Sequence, residues 1–285
     1  MKIRAPAKVN LCLRVVGMRK DGYHLLDTVM VPIGLYDEIQ ITRPKKRMMG
    51  KGSLTVTCDH PMVPPGKENL VHRAASLLLG QKGVHDPVCI HIRKRIPVGG
   101  GLGGGSSDAA ATLHGLNRLF RLGCERSEIL SLAASLGADV PFFIFGRPAR
   151  VRGVGERVRA LPSFPRLWMV ILYPGFPVST RWVYQGHAFK LTKAIENTSI
   201  NSFLEDPEEL RRFLVNDLEE VTIRRFPRIA FLKERLIQEG AAGALMSGSG
   251  SSVFGIFPAG ERARKAFRRL RKEEGVRSYL VRSLN

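Results

Sequence analysis

Apolar and polar residues alternate in several short runs of the first half of the chain. In one run Val9, Leu11, Leu13 and Val15 occupy every second position, and the turn sequence Lys20-Asp21-Gly22 follows it. Alternation with a period of two is typical of strands with one buried face. We therefore predict strands, in chain order, over Lys8–Val16, Asp27–Val31, Asp37–Thr42, Ser53–Cys58 and Pro87–Pro97.

Other segments of the first half place their apolar residues three and four positions apart. This spacing gives one apolar face to a helix. It predicts a helix over Asn69–Leu79, a second after the glycines at 99–105 and a third over Ser127–Leu136. Ser106, Ser107 and Asp108 stand where they would cap the second of these helices.

The second half repeats this mixture without a strict alternation of strand and helix. We predict strands over Trp168–Tyr173 and Val253–Phe257, helices around Glu208–Val215 and Arg228–Glu239, a terminal helix beyond Arg262, and a polar stretch at Ala194–Asn201. The fold class expected is therefore α+β. The length of 285 residues suits two domains, which we divide at Leu161-Pro162 into residues 1–161 and 162–285.

Composition excludes several classes of protein. The chain is 44% hydrophobic and 25% charged, which is ordinary for a globular protein and not for a disordered or fibrous one. Its longest apolar runs, Val140–Phe145 and Leu167–Tyr173, are too short to span a bilayer, and the N-terminus lacks a leader pattern, so we expect a cytoplasmic protein. The four cysteines lie more than 30 residues apart, and we assign no metal site.

The net charge of +20 favours acidic partners, namely nucleic acid, anionic membrane or phosphorylated metabolites. The basic residues form separate clusters, a pattern typical of solvated helix faces, at Arg43–Lys51, Arg147–Arg159, Arg211–Arg235 and Arg262–Arg277. No zinc-finger spacing, aromatic RNA-binding motif or basic tail accompanies them. We expect a small-molecule partner, with neither nucleic acid nor membrane, and a monomer or weak dimer.

One glycine run stands out as candidate chemistry. Six of the seven residues of Gly99-Gly100-Gly101-Leu102-Gly103-Gly104-Gly105 are glycine, between a predicted strand and a predicted helix. Such a run lets backbone N–H groups wrap an anion, and the helix that follows points its positive end at the same place. A flexible turn is the alternative. Ordering six glycines costs conformational entropy, however, and a simple turn would gain nothing in return for that cost. We therefore predict a phosphate site.

Two common nucleotide motifs do not fit this run. No Gly-Lys-Ser/Thr sequence closes it, and Asp108 follows where a dinucleotide fingerprint would have its third glycine. A second loop, Ser247-Gly248-Ser249-Gly250-Ser251-Ser252, precedes the strand Val253–Phe257. This loop either closes over the first or forms a simple turn, and the two together suggest a nucleotide held between the domains.

These motifs resemble those of the GHMP kinases. Pro97–Ser107 is similar to the central motif of the superfamily, Ala5–Leu11 to its first and Ser247–Gly250 to its third, in the same order. Asp21–His24, Gly137–Phe142 and Asn216–Glu219 resemble the branch that acts on 4-diphosphocytidyl-2-C-methyl-D-erythritol. The resemblance implies an N-terminal ribosomal-protein-S5-domain-2-like domain and a C-terminal ferredoxin-like α+β domain.

The resemblance also implies an activity. It is the ATP- and Mg²⁺-dependent phosphorylation of the 2-hydroxyl of that cytidine substrate, in non-mevalonate isoprenoid precursor synthesis, with Asp139 as general base and Lys8 as its charge partner. A carboxylate that receives the hydroxyl proton beside an ammonium suits phosphoryl transfer. Without the family, we would read Lys8 as a surface lysine and Asp139 as a helix-flanking residue.

The remaining site residues are carried over by the same resemblance. The ATP set comprises Pro97, Gly99 to Gly105, Ser106, Ser107, Lys94 and Asn69, and the acceptor set comprises Asn10, Tyr23, His24, Tyr184, Gly248 and Ser249. Tyr23 would stack on cytosine, His24 would hydrogen-bond the base edge, and Tyr184 would supply an opposing ring. Ordinary structural roles remain open for several of them, since Tyr23 suits a half-buried strand position and both serines suit helix caps.

Two rival interpretations remain at this point. One is a GHMP kinase with another acceptor, such as mevalonate, homoserine or a sugar, although those acceptors offer no base for Tyr23 and His24. The other is a basic nucleic-acid-binding protein with the same fold, for which salt-sensitive binding to polynucleotide would be the sign. The positive charge outside the motifs has no mechanistic account beyond steering of anionic substrates.

Overall fold

A computed structural model describes residues 1–44, 54–186, 195 and 206–285. Its first half contains long strands followed by helices. In chain order the elements are β1 (Lys2–Met18), β2 (His24–Thr42), β3 (Leu54–Cys58), a 3-10 turn (Gly66–Glu68), α1 (Leu70–Gln81), β4 (Val88–Arg93), α2 (Gly104–Phe120), α3 (Arg126–Leu136) and α4 (Val140–Phe145).

Short strands and helices mix in the second half. These elements are β5 (Ala149–Gly153), β6 (Arg157–Ala160), β7 (Trp168–Tyr173), α5 (Thr180–Gly186), α6 (Pro207–Phe213), β8 (Val215–Asn216), α7 (Glu219–Arg225), α8 (Arg228–Gln238), β9 (Gly243–Met246), β10 (Val253–Phe257), α9 (Gly260–Leu270) and β11 (Arg277–Arg282). The predicted α+β class is confirmed.

Two compact units divide the chain. Unit 1 comprises Met1–Ala7, Tyr36–Val98 and Gly103–Gly146, and unit 2 comprises Lys8–Leu35, Gly99–Leu102 and Arg147–Asn285. β1 and β2 are long enough to contribute to both units, so the units interleave along the sequence. This division differs from the predicted one into residues 1–161 and 162–285, which treats each domain as one continuous segment.

Unit 1 packs helices on a small sheet. The end of β2 pairs antiparallel with β4 over Glu38–Thr42, and β3 pairs with β4 in parallel. Ile39, Ile41, Ile90 and Ile92 are buried on this sheet, and Leu113 and Leu116 of α2 are buried with them. Burial of an aliphatic side chain stabilises the fold by about 1.5–3 kcal/mol, so this core fixes the position of α2.

Unit 2 contains an antiparallel sheet of four strands in the order β11-β7-β10-β9. Val170, Leu172 and Val253 of this sheet share one core with apolar residues of α8 and α9, among them Leu232 and Ala266. The beginning of β2 pairs with β5, β5 pairs with β6, and β1 pairs in parallel with β8 at Cys12 and Leu13.

Several predicted boundaries were wrong. The strands predicted over Asp27–Val31 and Asp37–Thr42 form one strand, because Ile33 bridges to Ser283 and the Pro32 carbonyl accepts a bond from the Leu284 amide. The apolar run Val140–Phe145, to which no element is assigned from the sequence, is a short helix. The terminal helix ends at Leu270, and the chain returns as β11 on β7.

Some predictions fall on residues that the structure does not describe. Most of the polar stretch Ala194–Asn201 and most of the basic cluster Arg43–Lys51 lie outside the described residues. Within the described ranges, no helix combines the length and the apolar character that a membrane crossing requires. The cytoplasmic location stays a prediction.

Candidate active site

The glycine run adopts a backbone that requires glycine at alternate positions. Gly99, Gly101 and Gly103 have φ angles of 67°, 75° and 71°, in the left-handed region that other residues rarely adopt. A Cβ at Gly99 would lie 2.5 Å from the Cβ of Pro177, and one at Gly101 would collide with the Ser247 carbonyl. Alternating left-handed residues turn successive N–H groups toward one concave side, which suits an anion.

Helix α2 begins inside the glycine run, at Gly104, and not after the serines. Its N-cap is Gly103, without a side-chain cap bond, and Ser107 N–H already donates to the Gly103 carbonyl at 2.9 Å. Ser106 and Ser107 therefore lie in the first helical turns and are not the N-cap.

The start of α2 retains features that fit a phosphate. Ser107 is 1% exposed, and its hydroxyl has no hydrogen-bond partner among the described residues. Gly105 is exposed, and a Cβ there would meet only the Cδ1 of Leu70, at 3.8 Å, within 4 Å. A 17-residue helix thus presents its N-terminal N–H groups beside an uncrowded residue.

The second glycine loop contacts the first within unit 2. Ser247 Oγ donates to the Gly101 carbonyl at 3.0 Å, and Ser252 N–H donates to the Gly100 carbonyl at 3.1 Å. Of the two alternatives for this loop, contact with the first loop is therefore confirmed. The second loop thus fixes two carbonyl groups of the first and is not a free turn.

A chain of buried hydrogen bonds holds Lys8. The Lys8 ammonium donates to Asn10 Oδ1 at 2.6 Å, Asn10 Nδ2 donates to Thr28 Oγ1 at 2.9 Å, and Thr28 Oγ1 donates to the Cys12 carbonyl at 2.6 Å. Lys8 is only 4% exposed. Its backbone N–H donates to the Leu102 carbonyl at 2.9 Å, which ties β1 to the glycine run.

Gly248 lies against this chain. A Cβ at Gly248 would lie 3.2 Å from Lys8 Nζ and 3.3 Å from Asn10 Oδ1. Asn216 holds the loop here, because its Nδ2 donates to the carbonyls of Met246 at 2.9 Å and Gly248 at 2.7 Å. Lys8, Asn10, Gly101 and Gly248 therefore come together, as the ordered motifs suggest.

Ser249 occupies a structural position in the same loop. Its hydroxyl shares a 2.9 Å hydrogen bond with the hydroxyl of Thr180, and its carbonyl accepts a bond from Thr222. A buried serine with these partners joins the loop to α5 and α7. Its assignment to the acceptor stays a prediction.

The three residues assigned to cytidine lie in unit 2. The rings of His24 and Tyr184 have centroids 4.9 Å apart and are inclined at 47°. Tyr23 is 65% exposed, while its backbone closes the preceding turn through bonds with Arg19 and Asp21. The half-buried interpretation of Tyr23 is therefore wrong, because the side chain that precedes His24 in the sequence is largely exposed.

Asp139 lies at the start of α4, in unit 1. It follows the Gly137 that ends α3, and its side chain makes no cap hydrogen bond to α4. Pro141 in the first turn of α4 fixes this corner. The pairing of Asp139 with Lys8 stays a prediction.

Lys94 and Asn69 have partners inside unit 1. The Lys94 side chain is 4% exposed, and its ammonium bonds to the carboxylates of Asp37 and Asp108. Asn69 is the N-cap of α1, where Oδ1 accepts from Val71 N–H at 2.9 Å and Nδ2 donates to the Pro64 carbonyl at 3.0 Å. These contacts hold both side chains inside unit 1, and their assignment to the nucleotide stays a prediction. Pro97 is buried before the run.

The charge cluster around Lys94 shifts the pKa of its members. Burial raises the pKa of Asp108 to about 7, and the nearby Asp37 carboxylate acts in the same direction against the opposing pull of Lys94. Burial lowers the pKa of Lys94, but the two carboxylates outweigh it and raise that pKa overall. The ammonium is therefore charged at neutral pH, while Asp108 titrates there.

The sequence interpretation missed Thr28, Asp37 and the buried role of Asp108. Asp37 gave one usable signal, because it shares the inward face of a strand with Leu35, Ile39 and Ile41 and is itself fully buried. A charged residue at such a position needs a buried partner. Thr28 carried no such signal, since a threonine suits any strand position.

Family models match both halves of the chain. The model described as the GHMP kinases N terminal domain matches residues 69–147, and the GHMP kinases C terminal model matches residues 191–276. Together they match more than half of the 285 residues.

Comparison with individual proteins gives a finer family. The chain is 43% identical to 4-diphosphocytidyl-2-C-methyl-D-erythritol kinase of Syntrophotalea carbinolica, over 99% of this chain and 98% of that one. It is 47% identical to the enzyme of that name from Geobacter metallireducens, over 93% and 92%. A crystal structure of 4-(cytidine 5'-diphospho)-2C-methyl-D-erythritol kinase superposes with a TM-score of 0.84 at 37% identity, and the match covers all of both chains. The chain belongs to the 4-diphosphocytidyl-2-C-methyl-D-erythritol kinase family of the GHMP kinases.

Proposed function

We propose that the chain phosphorylates the 2-hydroxyl of 4-diphosphocytidyl-2-C-methyl-D-erythritol with ATP, in the non-mevalonate route to isoprenoid precursors. The products are the 2-phosphate and ADP. The observation that carries this proposal is the junction of the two glycine loops with Lys8, where a Cβ at Gly248 would lie 3.2 Å from the buried ammonium. A fixed positive charge beside an anion-binding backbone is what phosphoryl transfer requires.

The residues present fit the phosphates of ATP. Alternating left-handed glycines supply N–H groups, and Ser107 supplies a buried hydroxyl without a partner among the described residues. The phosphate charge of ATP would be neutralised in part by Mg²⁺ bound with the nucleotide. The buried Ser107 hydroxyl and the phosphate oxygens of ATP are the groups that would hold this ion.

Asp139 and Lys8 have complementary roles in the proposed reaction. The Asp139 carboxylate receives the proton of the 2-hydroxyl as the hydroxyl oxygen bonds to the γ-phosphorus, and the bond to ADP breaks. Lys8 stabilises the negative charge that develops on the transferred group. The Asn10–Thr28 chain orients the ammonium without adding negative charge to it.

Recognition of the acceptor is assigned to the His24 region. Tyr23 offers an exposed ring for the cytosine face, and His24, the next residue in the sequence, forms an aromatic pair with Tyr184. Stacking of a base on an aromatic ring stabilises binding by about 1–3 kcal/mol. An acceptor without a nucleobase would lack this contribution to its binding free energy.

The direct test is ADP release with four acceptors. Purified protein is supplied with ATP and Mg²⁺ and with the cytidine substrate, mevalonate, homoserine or galactose. We expect release with the cytidine substrate alone. Release with another acceptor would contradict the acceptor assignment, and no release with any of them would favour a binding protein, which salt-sensitive retention on polynucleotide would reveal.

Replacement of the proposed base tests the mechanism. Asp139→Asn keeps the shape and removes the proton acceptor, so we expect kcat to fall by about 10²–10⁴-fold with little change in ATP affinity. The measurement is steady-state ADP release together with ATP binding by calorimetry. A near-normal rate would remove Asp139 from this role.

A further inference from the structure

Three charged side chains form a closed cluster inside unit 1. Lys94 Nζ bonds to Asp37 Oδ2 and, at 2.8 Å, to Asp108 Oδ2. Asp37 Oδ1 also accepts the backbone N–H groups of Arg95 at 2.6 Å and Ile96 at 2.9 Å. The cluster therefore joins the residues that follow β4 to β2 and to the second turn of α2.

Gly104 shows that the start of α2 is built on this cluster. Its φ angle is not among the left-handed ones, so no backbone reason requires glycine there. A Cβ at this position would lie 3.0 Å from Lys94 Nζ, 3.1 Å from Ile96 Cγ2 and 3.3 Å from Asp37 Oδ2. A glycine inside a helix costs about 0.5–1 kcal/mol relative to alanine, and here it makes room for the ammonium.

A buried ion cluster is a poor source of stability on its own. Well-packed apolar residues of similar volume are often as stabilising or more so, because the charges lose their hydration. One carboxylate oxygen, Asp108 Oδ1, is buried without a hydrogen-bond partner in the part of the chain that the structure describes. Stability alone therefore does not explain the cluster. Its contacts with α2 indicate that it positions the first turn of this helix.

We propose that Lys94 is a positioning residue for the phosphate site, and that its bonds to Asp37 and Asp108 hold the first turn of α2 where its N–H groups receive the phosphates of ATP. The proposal rests on the proposed function. It gives Lys94 a role in ATP affinity without contact with the nucleotide. The cluster positions α2 and does not position the acceptor residues. Loss of the cluster therefore weakens the binding of ATP and leaves the binding of the acceptor unchanged.

The experiment compares two variants by ATP calorimetry without acceptor, together with the KM for the acceptor and thermal unfolding. Lys94→Met leaves two buried carboxylates facing each other. Lys94→Met with Asp108→Leu removes the pair of charges and keeps Asp37 for the two amides. We expect both variants to weaken ATP binding by about tenfold or more, with the KM for the acceptor within about twofold of wild type.

A double variant that unfolds near the wild-type temperature and binds ATP within about twofold of wild type would overturn the proposal, since the cluster would then be structural only. Lys82→Met is the matched control, because it removes an ammonium that bonds to Glu128 at 2.6 Å elsewhere in unit 1, and no loss of ATP affinity is expected. Wild-type protein that binds no ATP would contradict the proposed function itself. Wild-type binding with unaltered variants contradicts this proposal alone.

Asp108→Asn gives a second reading that does not depend on the stability of the other variants. The charged groups that face Asp108 are Lys94 and Asp37. The substitution replaces the charged partner of Lys94 by a neutral amide and so weakens the 2.8 Å bond that joins α2 to Lys94. We expect the variant to bind ATP about threefold or more weakly than wild type at one fixed pH, measured by calorimetry. An ATP affinity equal to that of wild type would overturn the proposal.

Discussion

Lys8 and Lys94 are both buried lysines assigned to the site from sequence, yet their surroundings differ. Lys94 lies between two carboxylates of its own unit, and the pKa of one of them is raised to about 7. Lys8 donates to the neutral amide of Asn10, which a second neutral group, Thr28, holds in turn. The two carboxylates tie the Lys94 ammonium to the backbone and helix of its own unit, whereas Asn10 holds the Lys8 ammonium beside the second glycine loop, 3.2 Å from where a Cβ at Gly248 would lie. The comparison contrasts a lysine that supports the backbone with one that lies at the glycine loops.

Of the substitutions that test this comparison, we expect the largest effect from replacement of Lys8. Lys8→Met removes the ammonium and keeps most of the apolar stem, so we expect kcat to fall by about 10³-fold through lost charge stabilisation. Steady-state ADP release and thermal unfolding measure the two consequences. A variant with kcat within about tenfold of wild type would contradict the catalytic role of Lys8.

A smaller effect is expected at Thr28, which anchors the chain that orients Lys8. Thr28→Val keeps the shape but leaves Asn10 Nδ2 and the Cys12 carbonyl without the hydroxyl between them. An unsatisfied buried donor costs about 1–3 kcal/mol, and we expect a loss of kcat of about tenfold as the ammonium loses its orientation.

Thr28→Ser is the matched control at this position, because it retains the hydroxyl. Its kcat is expected to stay close to that of wild type, and urea denaturation separates the loss of stability from the loss of rate. Equal kcat for Thr28→Val and wild type would show that the chain does not orient Lys8.

The smallest effect is a pH dependence of stability at the Lys94 cluster. The folded protein retains a proton on Asp108, with its pKa about 7, that the unfolded chain has released above about pH 4. Folding is therefore disfavoured by this group progressively as the pH rises from about 4 to 7, and the contribution then stays constant. Asp108→Asn removes the dependence, so its free energy of unfolding falls less over this interval in urea titrations. Identical curves would contradict the raised pKa.

The sequence predicted the order of most strands and helices because their apolar spacing is local. The predicted start of α2 was wrong, because a run of glycines is typical of a loop. In the structure Gly104 is the first residue of the helix and packs on Lys94. Glycine is unfavourable in helices on propensity alone. The prediction from sequence also divided β2 at Pro32, where bonds from Ser283 and Leu284 maintain the strand.

In the candidate site, too, local features were predictable and tertiary contacts were not. The glycine run and Ser247–Gly250 were predicted because each is a contiguous motif, rich in the glycine that its backbone conformation requires. Partners far apart in sequence, such as Lys94 with Asp37 or His24 with Tyr184, depend on tertiary packing. Thus Lys94 could be found as a residue of interest, but its partners and hence its role could not.

The most direct test of the central claim is the position of the new phosphate in the product. Wild-type protein is incubated with 4-diphosphocytidyl-2-C-methyl-D-erythritol, ATP and Mg²⁺, and the product is analysed by phosphorus and carbon NMR. The account predicts a single new phosphomonoester on the 2-hydroxyl, an intact diphosphate bridge and one ADP for each product. A phosphate on another hydroxyl, or ATP consumption without a new ester, would contradict it.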